Sequence, residues 1–159
     1  MIDVTRLFRY GWGLGANTKF ESSDELNLES RINLGLLATK SIIQSNSVLF
    51  YGILGAQSNS EKFSTAEETL TSAEGVISMT FEYFKFRNPD IDFSISASVY
   101  PSITEDDRVR ANVKGRIAYE IISNLDLSLN GYFDWDSRPA PDSPTNDFGI
   151  FTSIGYSFN

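Results

Sequence analysis

The chain has 159 residues and a net charge of −8, and it contains neither cysteine nor histidine. Those absences exclude disulfides, thiolate and imidazole metal sites, cysteine nucleophiles and Ser-His-Asp hydrolysis, and the acidic balance speaks against a nucleic-acid partner, which needs clustered Lys and Arg. Aliphatic and aromatic residues suffice for one folded domain over 1–159, yet the longest apolar run is Val48 to Ala56, too short for a transmembrane helix.

At the start, Met1-Ile2-Asp3-Val4-Thr5-Arg6 has no basic and apolar leader, so the expectation is either a signal already removed or a protein that is not exported. The first predicted strand runs from about 7 to 20. Phe8, Tyr10, Trp12, Leu14 and Ala16 share one face, and Arg9, Gly11, Gly13, Gly15, Asn17 and Lys19 the other. Its three glycines have the wrong spacing for a phosphate loop, and no helical pattern follows them. A polar turn at 21–25 leads to a second strand over 26–38, and 41–47 turns into a third over 48–56. This third strand is less clean, because Leu49, Tyr51 and Ile53 fall on the polar side. Residues 57–71 form the longest predicted connection. A fourth strand over 73–83 ends at the turn composition Arg87-Asn88-Pro89-Asp90, and a fifth sets Phe93, Ile95, Ala97 and Val99 against Asp92, Ser94, Ser96 and Ser98.

The last third of the chain alternates most strictly. Val109 to Ile121, Leu125 to Trp135 and Phe148 to Phe158 place aliphatic and aromatic residues, interrupted by Gly115, Gly131 and Thr152, at every second position, with largely polar, small or charged residues between them. Strands of this length match the nine to eleven residues that a tilted strand needs to cross a bilayer, and exceed the usual five or six of soluble sheets. The expected architecture is all-β: a closed, antiparallel, up-and-down transmembrane β-barrel of eight strands in a bacterial outer membrane, since closure leaves no backbone edge unpaired in hydrocarbon. Tyr83, Tyr119, Phe133, Trp135, Tyr156 and Phe158 are placed as the lipid-facing girdle. The connections predicted after strands one, three, five and seven are on average longer than the others and carry most of the acid, including Glu67, Glu68, Glu105, Asp106, Asp107, Asp142 and Asp147. They form the expected extracellular rim.

Inside such a barrel Glu29, Arg31, Glu74, Glu82, Arg110, Lys114, Arg116 and Glu120 are expected as a charge network. Mutual pairing that fills the lumen is favoured over a narrow conduit for small solutes, because buried charges need partners. The acidic rim could hold weak divalent cations bridging to lipopolysaccharide, but the plainer reading of loops kept soluble by their charge is favoured. Asp134 and Asp136 share a strand face, but nothing assembles a catalytic site around them, and Arg138 stands where a calcium loop needs an oxygen ligand. No enzyme, cofactor or metal is expected.

The segments Tyr100-Pro101-Ser102-Ile103-Thr104-Glu105-Asp106-Asp107-Arg108-Val109-Arg110 and Asp134-Trp135-Asp136-Ser137-Arg138-Pro139, with Asn146-Asp147 and the ending Gly155-Tyr156-Ser157-Phe158, resemble the YdiY-like family of salt-induced outer-membrane proteins. The resemblance implies an outer-membrane barrel of structural or salt-adaptation type, with membrane lipids, lipopolysaccharide and the barrel-insertion machinery as partners. Members of that family usually carry a signal and further strands upstream of Arg6, which implies that this chain is a C-terminal portion or a compact version. Two features depart from the alternative of a soluble, lipocalin-like barrel with the apolar face as its core and a lipid or other hydrophobic ligand bound within. The polar face is rich in Ser, Asn and Gly with few Lys, and the aromatics sit at strand ends.

Overall fold

A period of two along a chain is satisfied by extended backbone, where successive side chains point to opposite faces. The computed structural model describes residues 2–23, 28–63, 69–85, 90–122, 125–139 and 144–156. Among them run nine strands: β1 (Ile2–Leu7), β2 (Trp12–Ser23), β3 (Leu28–Gln44), β4 (Val48–Phe63), β5 (Thr69–Lys85), β6 (Ile91–Pro101), β7 (Val109–Ile122), β8 (Leu125–Asp136) and β9 (Asn146–Tyr156). Each pairs antiparallel with its neighbours in sequence, so the sheet is a single meander in chain order. Helix among the described residues is limited to a 3-10 turn at Arg9–Gly11.

Two expectations are corrected here. The sheet has nine strands rather than eight, and it is not closed: β1 pairs with β2 alone and β9 with β8 alone. The additional strand is β1, whose residues were expected only as a segment without a leader, while the alternation carried the first expected strand, 7–20, back across the turn that precedes β2. Tyr10 and Gly11 have φ of 63° and 72°, so the chain reverses there. Glycine adopts that conformation without strain. The reversal falls between apolar residues that keep the period of two, so spacing alone cannot reveal it. The eight predicted strands correspond to β2 through β9. The connection expected over 57–71 is mostly strand, because Ser58, Ser60 and Thr71 continue the ladder between β4 and β5.

The short turn at 45–47 is closed by Ser45, whose Oγ accepts the Val48 amide at 3.0 Å while its own amide donates to the Val48 carbonyl at 2.8 Å. That turn and the one at 8–11 lie on one end of the sheet, the turn rim. Residues 102–108 and the longer connection from β8 to β9 lie on the opposite end, the loop rim. The turn expected at Arg87-Asn88-Pro89 and the acidic residues Asp24, Glu25, Glu67, Glu68 and Asp142 fall outside the described residues.

The two faces meet different surroundings. Leu34, Leu36, Leu54, Ile77, Met79, Ile95, Val113, Ile117, Leu127, Leu129, Ile150 and Ile154 are all exposed on one face, Leu36 at 72% and Ile154 at 73%. The other face curls inward, and its Asn33, Asn59, Ser72, Glu74, Ser98 and Ser128 are buried. Among the described residues the buried apolar side chains are Val76 and Ala118. The outer face is therefore greasy and the inner face polar, the reverse of a soluble domain. Hydroxyls pair across the inner wall: Ser98 Oγ donates to Ser78 Oγ at 2.8 Å, and Ser128 and Ser153 share a hydrogen bond of 2.7 Å. Leu49, Tyr51 and Ile53 point inward as the less regular third strand had indicated, and are partly buried there.

The strands are steeply staggered. Cross-strand partners followed from Leu7, at the turn-rim end of β1, pass through Gly13, Thr39, Ile53, Ser78, Ser98, Asn112 and Asp134 and arrive at Asp147, at the loop-rim end of β9. One hydrogen-bonded row thus climbs the whole height of the sheet.

Candidate functional site

Alternation on β7 points Arg110, Lys114 and Arg116 into the concave face, where the curl brings β5 within reach across β6. Arg110 grips Glu74 through two hydrogen bonds, Nε to Oε1 at 2.9 Å and Nη2 to Oε2 at 2.5 Å. Gln57 Nε2 donates to the same carboxylate at 3.0 Å, and the Arg110 guanidinium lies 5.5 Å from the centre of the Tyr100 ring. Glu74 is only 1% exposed. A charge so buried is tolerable because a guanidinium neutralises it and both carboxylate oxygens accept hydrogen bonds.

Just above it, at the loop rim, Arg108 gathers the ends of two connections. Its Nη2 and Nε donate to Asp136 at 2.8 and 3.3 Å, and its Nη1 donates to Glu105 Oε2 at 3.0 Å. Burial disfavours the charge of Arg108, but Asp136 and Glu105 outweigh it and hold the guanidinium above its ordinary range. Ser137 Oγ accepts the Val109 amide at 2.9 Å and donates to the Asp107 carbonyl at 3.3 Å. Asp107, at φ 59°, makes the sharp bend that this requires. Thr104 Oγ1 accepts the Ala73 amide at 3.0 Å, which docks the 102–108 connection onto β5. The two segments singled out by the family resemblance, 100–110 and 134–139, are thereby folded into one interlocked cluster.

Towards the turn rim the concave face opens into a cavity of about 620 Å³. Lys114, Arg116, Glu82 and Asp134 line it, together with Tyr51, Tyr132 and Phe151. Tyr132 lies opposite Gly149, and a Cβ on that glycine would come within 2.5 Å of the ring. The missing side chain lets the ring lie against the wall.

Of the eight expected lumen charges, Glu74 and Arg110 form the ion pair described, and Glu82, Lys114 and Arg116 line the cavity. Arg31 stands in register between Glu21 and Glu61, and Glu120 opposite Asp126 at the turn rim. Glu29 is corrected. A register shift between Leu28 and Ser30 takes it out of alternation, and its exposed carboxylate pairs with Lys62 at 2.8 Å. Of the expected girdle, Tyr83, Tyr119, Phe133, Trp135 and Tyr156 are exposed on the outer face, and Phe158 lies outside the described residues. Trp12, Phe20 and Phe148 are also exposed aromatics near strand ends. The sequence reading left them unassigned, although their terminal positions were the available signal.

Asp134 and Asp136 do share the inner face. Asn112 Nδ2 donates to Asp134, and Arg108 holds Asp136, so the two carboxylates serve separate contacts. Among the described residues no three acidic side chains gather as a metal-ion site. No helix among them is long and apolar enough to cross a membrane, which leaves crossing by strands untouched.

Neither curated proteins nor solved structures provide a match to this chain. The profile described as "Protein of unknown function, DUF481" matches residues 2–158, and over essentially its whole length the protein belongs to that family.

Proposed function

We propose that this protein is an outer-membrane β-barrel of the YdiY-like, salt-adaptation type, with a structural role in the envelope and no enzymatic activity. The observation that carries the reading is the inverted partition of the sheet, an exposed aliphatic face bounded by aromatics at both rims and a buried polar one. In water such a face is a large aggregation liability, whereas hydrocarbon is its natural solvent. The same partition weighs against a lipocalin-like barrel, whose apolar residues line the interior.

In a bilayer the free edges of β1 and β9 cannot remain open, because each unpaired backbone group there costs several kcal/mol. Their pairing closes the barrel. With nine antiparallel strands, β1 and β9 run in the same direction, so the seam is parallel. The stagger supports this closure: bringing the turn-rim ends of β1 and β9 together requires a slide of about eight to ten residues, roughly 26 to 33 Å. Over a circumference of roughly 43 Å that is a tilt of about 30 to 38°, near the 35–45° usual in barrels. The loop rim, where Asp106, Asp107 and Asp147 are exposed, faces outward and meets lipopolysaccharide through divalent cations.

Refolding into detergent micelles tests the reading. A monomer whose gel migration changes on boiling, and which aggregates when detergent is withdrawn, is the expected outcome. A stable soluble monomer without detergent sinks it.

A further inference from the structure

Strands β5 and β7 face each other across β6 with an arginine on one and a glutamate on the other at two levels, and the levels behave differently. At the loop rim Arg110 closes directly on Glu74. Nearer the turn rim Glu82 and Arg116 share a row through Ser94, and that pair stays open. Among the described residues no ion pair or hydrogen bond engages the head group of Glu82, of Arg116 or of Lys114, which lies two residues along β7 on the same face. The backbones of β5 and β7 are two strand spacings apart, roughly 10 Å. The space between the heads is the cavity of about 620 Å³.

We propose that this cavity binds a small zwitterion of the α-amino-acid class, its carboxylate held by Lys114 and Arg116 and its ammonium by Glu82. The proposal rests on the barrel reading, in which the cavity is the lumen. Charge balance selects the ligand. A plain anion meets the carboxylates of Glu82 and Asp134 in the same space, and a plain cation meets Lys114 and Arg116, whereas a dipolar solute satisfies both walls at once. The two cations are adjacent on one strand and Glu82 faces them from another, so the wall is polarised across the cavity. Apolar surface from Tyr51, Phe151 and the ring of Tyr132 over Gly149 completes the lining. That favours an amino acid with an apolar or aromatic side chain.

The test is calorimetric titration of the full chain, refolded in detergent and shown to be folded by its heat-modifiable migration. Three probes separate the charge patterns: L-phenylalanine, 3-phenylpropionate and phenethylamine. Saturable binding of phenylalanine is expected, with each of the others weaker by about tenfold, since each leaves one wall unpaired. Glu82→Gln should weaken phenylalanine by about tenfold while 3-phenylpropionate, relieved of a like charge, binds no more weakly than before, and Arg116→Gln should weaken both. Absence of saturable heat from the folded protein, equal binding of all three probes, or an unaltered phenylalanine affinity in Glu82→Gln overturns the proposal. Failure to obtain the heat-modifiable band strikes at the barrel reading itself and removes this proposal with it.

Discussion

Glu74 shows what one buried charge demands. It is nearly inaccessible, and its carboxylate is held by Arg110 and Gln57. Arg110→Met leaves that charge without its counterion and should cost about 3–5 kcal/mol of stability, whereas the double change Glu74→Leu with Arg110→Met should recover much of it. Urea unfolding in detergent measures both, and equal losses in the single and double variants would refute the coupling. On the opposite face Val113 is exposed on β7. On the proposed outer-membrane reading, Val113→Arg places a charge against hydrocarbon and should cost about 2–4 kcal/mol. Refolding that is indifferent to this change would show that Val113 meets water. Glu74 and Arg110 were visible in the sequence as residue types on one shared face, because alternation sorts faces. Their partners were not: Arg108 was passed over, since nothing in its spacing shows that Glu105 and Asp136 converge on it from two connections.

At the scale of elements, β1 decides how the sheet can end. Its Thr5 and the Gly155 of β9 belong to the inner face, and in the proposed closed barrel a slide of ten residues would bring them together, and one of eight Thr5 with Ser153. The chain has no cysteine of its own. Thr5→Cys combined with Gly155→Cys, or with Ser153→Cys, should therefore give an intramolecular crosslink in the detergent-folded protein, read as a shift between oxidised and reduced gels. Crosslinks only between molecules would place a second copy at these edges and exclude the parallel seam. The strand count was misread at this scale for a local reason. The reversal at Tyr10 and Gly11 needs positive φ at a tyrosine, and it sits within an uninterrupted apolar alternation.

For the whole molecule, what matters is which solvent each surface meets. Packing is thin by the standards of soluble proteins, with Val76 and Ala118 as the buried apolar side chains among the described residues. Stability comes from continuous ladders, from hydroxyl pairs such as Ser78 with Ser98, and from the arginine clusters at the loop rim. The exposed carboxylates of that rim carry a further expectation. Association of the folded protein with lipopolysaccharide should require Mg²⁺ and be reversed by EDTA, because hard divalent cations bridge carboxylates to phosphates. Binding unaffected by chelation would remove the cation bridge from the proposal.

From the sequence by itself came the all-β class, seven strands near their true positions and an eighth, 7–20, that ran back over the turn before β2 and left β1 unseen, and the sorting of residues between a greasy and a polar face. Each of these depends on a period of two, which is a local property of the chain. Which face lies inside is not local. Leu127, Ile117 and Ile154 would alternate identically in a soluble core, and only the curl of the sheet put them outside, with Glu74 and Asn59 shut within. Tertiary structure also decided which charges meet. Arg110 reaches Glu74 while Arg116 stands off from Glu82 although the residue types are the same, because contact across an intervening strand depends on the local curvature of the sheet, which is not written in spacing along the chain.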